Sequence, residues 1–168
     1  MAKPNVTTWE EFNDRLFRVL LTIEDRVYLI ISARGDLWRY VQFAADADSL
    51  TGESVGNSIL KDAYKLDEAA QARMRELGWK DPEGPSQPNW SRLLELPATS
   101  NEVRAVSDAS IYALRDALKI PSPADLEYKA WRERERPVPG AVYEEEELEE
   151  LDPGENPLEL DLGIEMNP

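Results

Sequence analysis

The chain contains no cysteine and no histidine. The first absence excludes disulfides, thiolate metal sites and cysteine nucleophiles. The second removes the commonest general base, the usual Ser–His nucleophile pair and nearly all zinc chemistry. Long apolar runs are absent too. The longest, "VYLIIS" (27–32), is far too short to span a bilayer, and the start "MAKPNVTTWEEF" has no apolar signal-peptide core. The expectation is a cytoplasmic protein with no direct membrane insertion. No concentrated basic surface is present, so nucleic acid is not an expected partner. "TGESVGNS" (51–58) has glycines but lacks the lysine and spacing of a phosphate loop, and there is no nucleophile elbow. Carboxylate pairs that do acid–base work sit in deep clefts, whereas here the densest carboxylates lie in a terminal segment. A Ca²⁺ or Mg²⁺ site built from that Glu run would be weak and unshaped. The chain is therefore expected to be non-enzymatic, with no catalytic residues, no metal site and no cofactor.

What is present is acid, unevenly placed. The 168 residues carry a formal charge of -15. Residues 141–168 hold eleven carboxylates and no Lys or Arg, while the preceding 140 residues are at net -4. This divides the chain into a mildly acidic domain over 1–137 and an acidic, largely flexible tail over 138–168. The length favours one domain with a real core.

Residues 7–23 have apolar side chains at helical spacing (Trp9, Phe12, Leu16, Val19, Ile23), with Thr7 or Thr8 able to cap. "RVYLIISARGDLWRYVQFAADADS" (26–49) predicts a hairpin turning at Arg34-Gly35-Asp36. On its second arm Leu37, Arg39, Val41 and Phe43 share one face and Trp38, Tyr40 and Gln42 the other. The first face is expected to bury helix 7–23. The second is aromatic, and either a further helix layer or a partner covers it. A third strand is expected around 51–55, weakened by Gly52 and Gly56. Helices are expected over 67–77, stopped by Gly78, and from a Thr99/Glu102 capping box to about Leu118. Between them lies "ELGWKDPEGPSQPNW" (76–90), a loop with a tryptophan at each end, either a ligand clamp or a pair of anchors. "DLEYKAWRERERP" (125–137) reads as a further short helix, and "RERER" (132–136) as a solvated face or a dock for the acidic tail.

The tail is not uniform. "YEEEELEEL" (143–151) repels itself and is expected to be solvated. In "PLELDLGIEM" (157–166), Leu158, Leu160, Leu162, Ile164 and Met166 recur at period two, the pattern of a half-buried strand. That strand has three candidate acceptors: its own sheet, a second copy, or a partner protein.

Several words of the chain carry a resemblance: "YVQFAAD", "ESVGNSIL", "RMRELGWKDP", "NW" at 89–90 and "ALKIPSPADLEY". In this order they resemble the YbjN and type III secretion chaperone-like family, specifically its single-domain actinobacterial TY-chaperone members, over about residues 8–131. The resemblance implies an α+β fold, an antiparallel sheet of about three to five strands packed against helices. It implies a peptide- or protein-binding, chaperone-like adaptor whose partner is another protein or peptide segment, with homodimers known among the secretion chaperones.

The expected binding residues are Trp38, Tyr40 and Gln42 on the sheet and Leu158, Leu160, Leu162, Ile164 and Met166 in the tail. The alternative reading is a tethering or assembly subunit whose tail adds a strand to a partner. A third is an acidic decoy in which residues 144–152 imitate phosphate charge.

Overall fold

The computed structural model describes residues 5–168 and is α+β. Its centre is a six-stranded sheet of order β4-β3-β2-β1-β5-β6. The strands are β1 (Val27–Ala33), β2 (Asp36–Ala45), β3 (Ser49–Ser54), β4 (Trp90–Glu95), β5 (Leu126–Arg132) and β6 (Glu165–Met166). The first five pair antiparallel, and only the two-residue β6 is parallel to its neighbour. The helices are α1 (Trp9–Thr22), α2 (Glu68–Glu76), α3 (Ser100–Tyr112), which continues through a π-helical turn at Ala113–Ala117, and the short α4 (Glu145–Glu149).

Period-two alternation sorts the sheet into two faces. Leu29, Ile31, Val41, Phe43, Leu50, Leu126, Tyr128 and Ala130 point to one side and are buried with Phe12 and Leu16 of α1 and Val103, Val106 and Leu114 of the α3 region. The expected capping chemistry is present. Thr8 caps α1, Asp67 caps α2, and Thr99 with Glu102 forms a reciprocal box on α3. Gly78, at φ +95, ends α2, with its N–H donating to Arg75 O and that of Trp79 to Met74 O, the two bonds of a Schellman turn.

One sheet element corrects the sequence reading and another adds to it. Residues 126–132 form β5, not a helix. Ala, Lys, Arg and Glu favour helix locally, but Leu126, Tyr128 and Ala130 alternate inward and the backbone completes the second ladder of β1. The segment after Trp90 is the edge strand β4, where Leu94 turns inward and Leu93 is left exposed.

The packing also crosses the 137/138 boundary. The chain leaves β5, runs exposed through residues 133–142 and α4, and returns. From Asp152 to Asn167 it lies against β5: Arg132 and Glu155 exchange backbone bonds, Leu158 N donates to Ala130 O, and Asn167 N donates to Tyr128 O. Leu162 and Ile164 join the main core. The extended pattern expected over 157–166 shrinks to Glu165–Met166, because Gly163 adopts φ +71 and receives the Asn5 and Val6 N–H groups. Of the three acceptors open to this strand, the structure shows its own sheet.

Both rings of the 76–90 loop are anchors. Trp79 and Trp90 are each only 2% exposed, and the Trp79 indole N–H donates to Ala109 O. Trp9 is only partly buried. Its ring meets Phe12 edge-on and its N–H reaches Pro121 O.

Candidate peptide-binding face

With α1 and α3 packed on the Leu29–Val41 side, the opposite side of the sheet carries Tyr28, Ile30 and Ser32 from β1. Beside them lie Tyr40 and Gln42 from β2, Thr51 and Glu53 from β3, Leu93 from β4, and Glu127, Lys129 and Trp131 from β5. Only Ser32 of these is fully buried.

The hairpin tip shapes one end of this face. Ser32 pairs with Tyr40, yet the next residue, Ala33, pairs with Asp36. Leu37, Trp38 and Arg39 therefore bulge out of the ladder. Asp36 holds the bulge, its carboxylate accepting the Trp38 N–H at 3.3 Å and Arg39 Nε at 3.0 Å. Arg39 also donates to Leu118 O and lies over the Tyr64 ring. This explains a misplacement: strict alternation puts Leu37 on the core face with Val41, but the bulge turns it out, leaving it 57% exposed beside Trp38 at 60%.

Below the bulge lies a groove of about 370 Å³ lined by Leu37, Trp38, Tyr40, Ile30, Gln42 and the β5 residues Glu127 to Lys129, with Asn167 of the tail at its rim. A second depression of about 280 Å³ shares Ile30 and Gln42 with it and extends to Tyr28, Glu53 and Trp131. Tyr28 and Trp131 stack at 5.4 Å with their planes 13° apart, forming its wall. The groove floor is held by hydrogen bonds. Tyr40 O–H donates to Asn89 Oδ1 at 3.1 Å, and Gln42 Nε2 donates to Glu53 Oε2 at 2.6 Å. Burial pushes the Tyr40 phenol up, the Asn89 bond offsets part of this, and the nearby Glu53 charge adds to the rise. The phenol therefore stays a neutral hydrogen-bonding group at neutral pH.

Trp38, Tyr40 and Gln42 thus come together, as expected of them. The five tail residues do not join them. Leu162 and Ile164 are buried in the core, and Met166 packs partly against it. Leu158 and Leu160 line a separate depression beside Arg18 and Thr22 of α1 and Ile23 just after it. Of the acceptors open to their pattern, they use the chain's own core and sheet. Sequence reasoning missed Tyr28, Ile30, Trp131 and Leu37. The first two were legible as the outward positions of "VYLIIS". Trp131 was hidden by the helix assignment, and Leu37 by the bulge.

Among the described residues, no group of three or more acidic side chains is arranged to hold a metal ion, and no helix is long and apolar enough to cross a membrane. No match was found among curated proteins or among solved structures. A family model described as "T3SS (YopN, CesT) and YbjN peptide-binding chaperone 3" matches residues 4–132, which takes in α1, the first five strands and the whole aromatic face. The chain belongs to this family of peptide-binding chaperones.

Proposed function

We propose that the protein is a non-enzymatic chaperone-like adaptor that holds a peptide segment of another protein against the aromatic face of its sheet. The observation that carries this is Trp38. A tryptophan and a leucine stand more than half exposed on a bulge fixed by Asp36, above an apolar groove, inside the region that defines a peptide-binding family. Large aromatic rings with few rotatable bonds are the residues that carry most binding energy at interfaces. A cytoplasmic setting fits the absence of cysteine. The alternative tethering role would require the tail to leave its own sheet, which means withdrawing fully buried Leu162 from the core.

The test uses the exposure difference among the tryptophans. Trp79 and Trp90 are shielded, whereas Trp38 is open to acrylamide. A peptide selected from a display library should protect Trp38, and the partly exposed Trp131 on the same face, from quenching, and Trp38→Ala should remove the binding and with it the protection. Binding that survives Trp38→Ala at full strength would place the peptide elsewhere.

A further inference from the structure

Acidic side chains outnumber basic ones on the aromatic face. Among the described residues, Glu53, Glu95 and Glu127 project from β3, β4 and β5 on the same side as Tyr40, Leu93 and Trp131, and the cations there are Lys129 and, bridged to Ser91 at the β4 edge, Lys80. Among the described residues none of the three carboxylates is in an ion pair. The arginines pair with acids elsewhere: Arg15 with Asp161, Arg26 and Arg132 with Asp152, Arg34 with Glu165, Arg75 with Asp81. Glu53 accepts only the neutral Gln42 amide, and it lies close enough to Tyr40 for its charge to act on that phenol. The face is thus apolar and aromatic at its centre, with Glu53 bordering the second groove and Glu127 and Lys129 bordering the first, on a molecule of net charge -15.

We infer that the segment bound on this face is cationic as well as apolar, an extended peptide alternating bulky apolar residues with Lys or Arg. The apolar side chains fill the grooves beneath Trp38 and beside Tyr28. The cations between them meet Glu53 and Glu127 and lie over exposed aromatic rings, a pairing that gains from both the carboxylate and the ring face. The overall negative field steers such a segment toward the protein, whereas an acidic segment meets repulsion on approach and at the rim. This inference rests on the open face being the peptide site, and it adds the chemistry of the occupant.

Three synthetic peptides separate the two claims. They share one alternating apolar pattern and carry Lys, Ser or Glu at the intervening positions. Their affinities are measured by titration calorimetry against the full chain, the Trp38→Ala variant and a Glu53→Gln, Glu127→Gln double variant. Affinity should fall in the order Lys, Ser, Glu. The double variant should bind the Lys peptide about three- to tenfold more weakly, the scale of two partly exposed ion pairs, and its preference for the Lys over the Ser peptide should shrink by that factor. If the Ser peptide binds as tightly as the Lys peptide and Trp38→Ala abolishes both, the face is the site but its occupant is not cationic. If the double variant keeps the full Lys preference, the attraction comes from charge elsewhere and the inference falls. If no peptide binds, the peptide-site reading falls with it.

Discussion

Arg132 and Asp152 face each other in a two-point ion pair, Nε to Oδ2 at 2.6 Å and Nη2 to Oδ1 at 3.1 Å, joining the end of β5 to a residue 20 positions later. Arg26, just before β1, reaches the same carboxylate at 3.2 Å. The pair marks where the acidic segment returns to the domain. Before it the chain is exposed, and after it the backbone bonds to β5 begin. Of the two readings of "RERER", its first arginine is a dock for the tail.

This pair makes the tail's attachment pH-dependent. The Arg132 guanidinium holds the Asp152 carboxyl well below the usual carboxylate range, helped by the Gly154 N–H and Arg26. A depressed folded-state value means that the group stabilises the folded chain above its unfolded value of about 3.9, and that the contribution is lost as pH falls below that. Urea melts from pH 7 to pH 3 should show a decline in stability that is smaller in Asp152→Asn. At pH 7 the same variant should exchange the amide protons of Leu158 and Asn167 faster, since both donate to β5. Unchanged exchange in Asp152→Asn would show that the apolar contacts alone hold the tail.

Leu162 supplies those contacts. Its side chain is fully buried in the main core, although it lies outside the family-matched region. Leu162→Ala should cost about 2–5 kcal/mol, the range for emptying a leucine site that collapses incompletely. Replacing Glu145, Glu146 and Glu147 by Gln in exposed α4 should change stability by roughly 0.5 kcal/mol or less. Chemical denaturation of the two variants side by side distinguishes an integral tail from an appended one.

How far the sequence was legible follows from the same residues. α1, the hairpin, α2 and α3 were readable because capping residues and apolar periodicity agree at each. β5 was not, because Lys, Ala, Arg and Glu favour helix and only Leu126 and Tyr128 hint at alternation. A central strand is decided by its neighbour, here β1, which no local pattern reports. On the candidate face, Trp38, Tyr40 and Gln42 were placed by counting alternate positions, and Leu37 was lost when the bulge broke the count. The tail showed a strand pattern correctly read as half-buried. Period two says that one side is covered, not by what. The covering surface formed only once β5 was a strand.

Gly56 should prove among the least replaceable small residues. A Cβ there would stand 2.0 Å from Pro88 O, a backbone atom of the loop that Trp90 anchors. Its φ is not in the left-handed region, so the obstacle is space alone. Gly84 is the converse, with φ +103 and nothing within 4 Å. Gly84→Ala should cost only the strain of its backbone, about 1–2 kcal/mol. Gly56→Ala should lose more and release the loop, read as new proteolytic cleavage between Lys80 and Pro88.

Trp38 and Trp79 should separate binding from stability. Trp79 is 2% exposed, donates to Ala109 O and packs near Gly52. Trp79→Ala opens a large cavity and removes the indole bond to that carbonyl, which keeps only the Ala113 N–H, at a cost of about 3–5 kcal/mol. Trp38 contributes little to the core from a 60% exposed position. Trp38→Ala should shift stability by no more than about 0.5 kcal/mol while removing the ring at the mouth of the groove. In denaturation and peptide titration run on both variants, Trp38→Ala should keep its midpoint and lose its ligand. Trp79→Ala should lose its midpoint and, at a temperature where it is still folded, keep the ligand. The reverse assignment would move recognition from the sheet face to the 76–90 loop and restore the clamp reading of its two tryptophans.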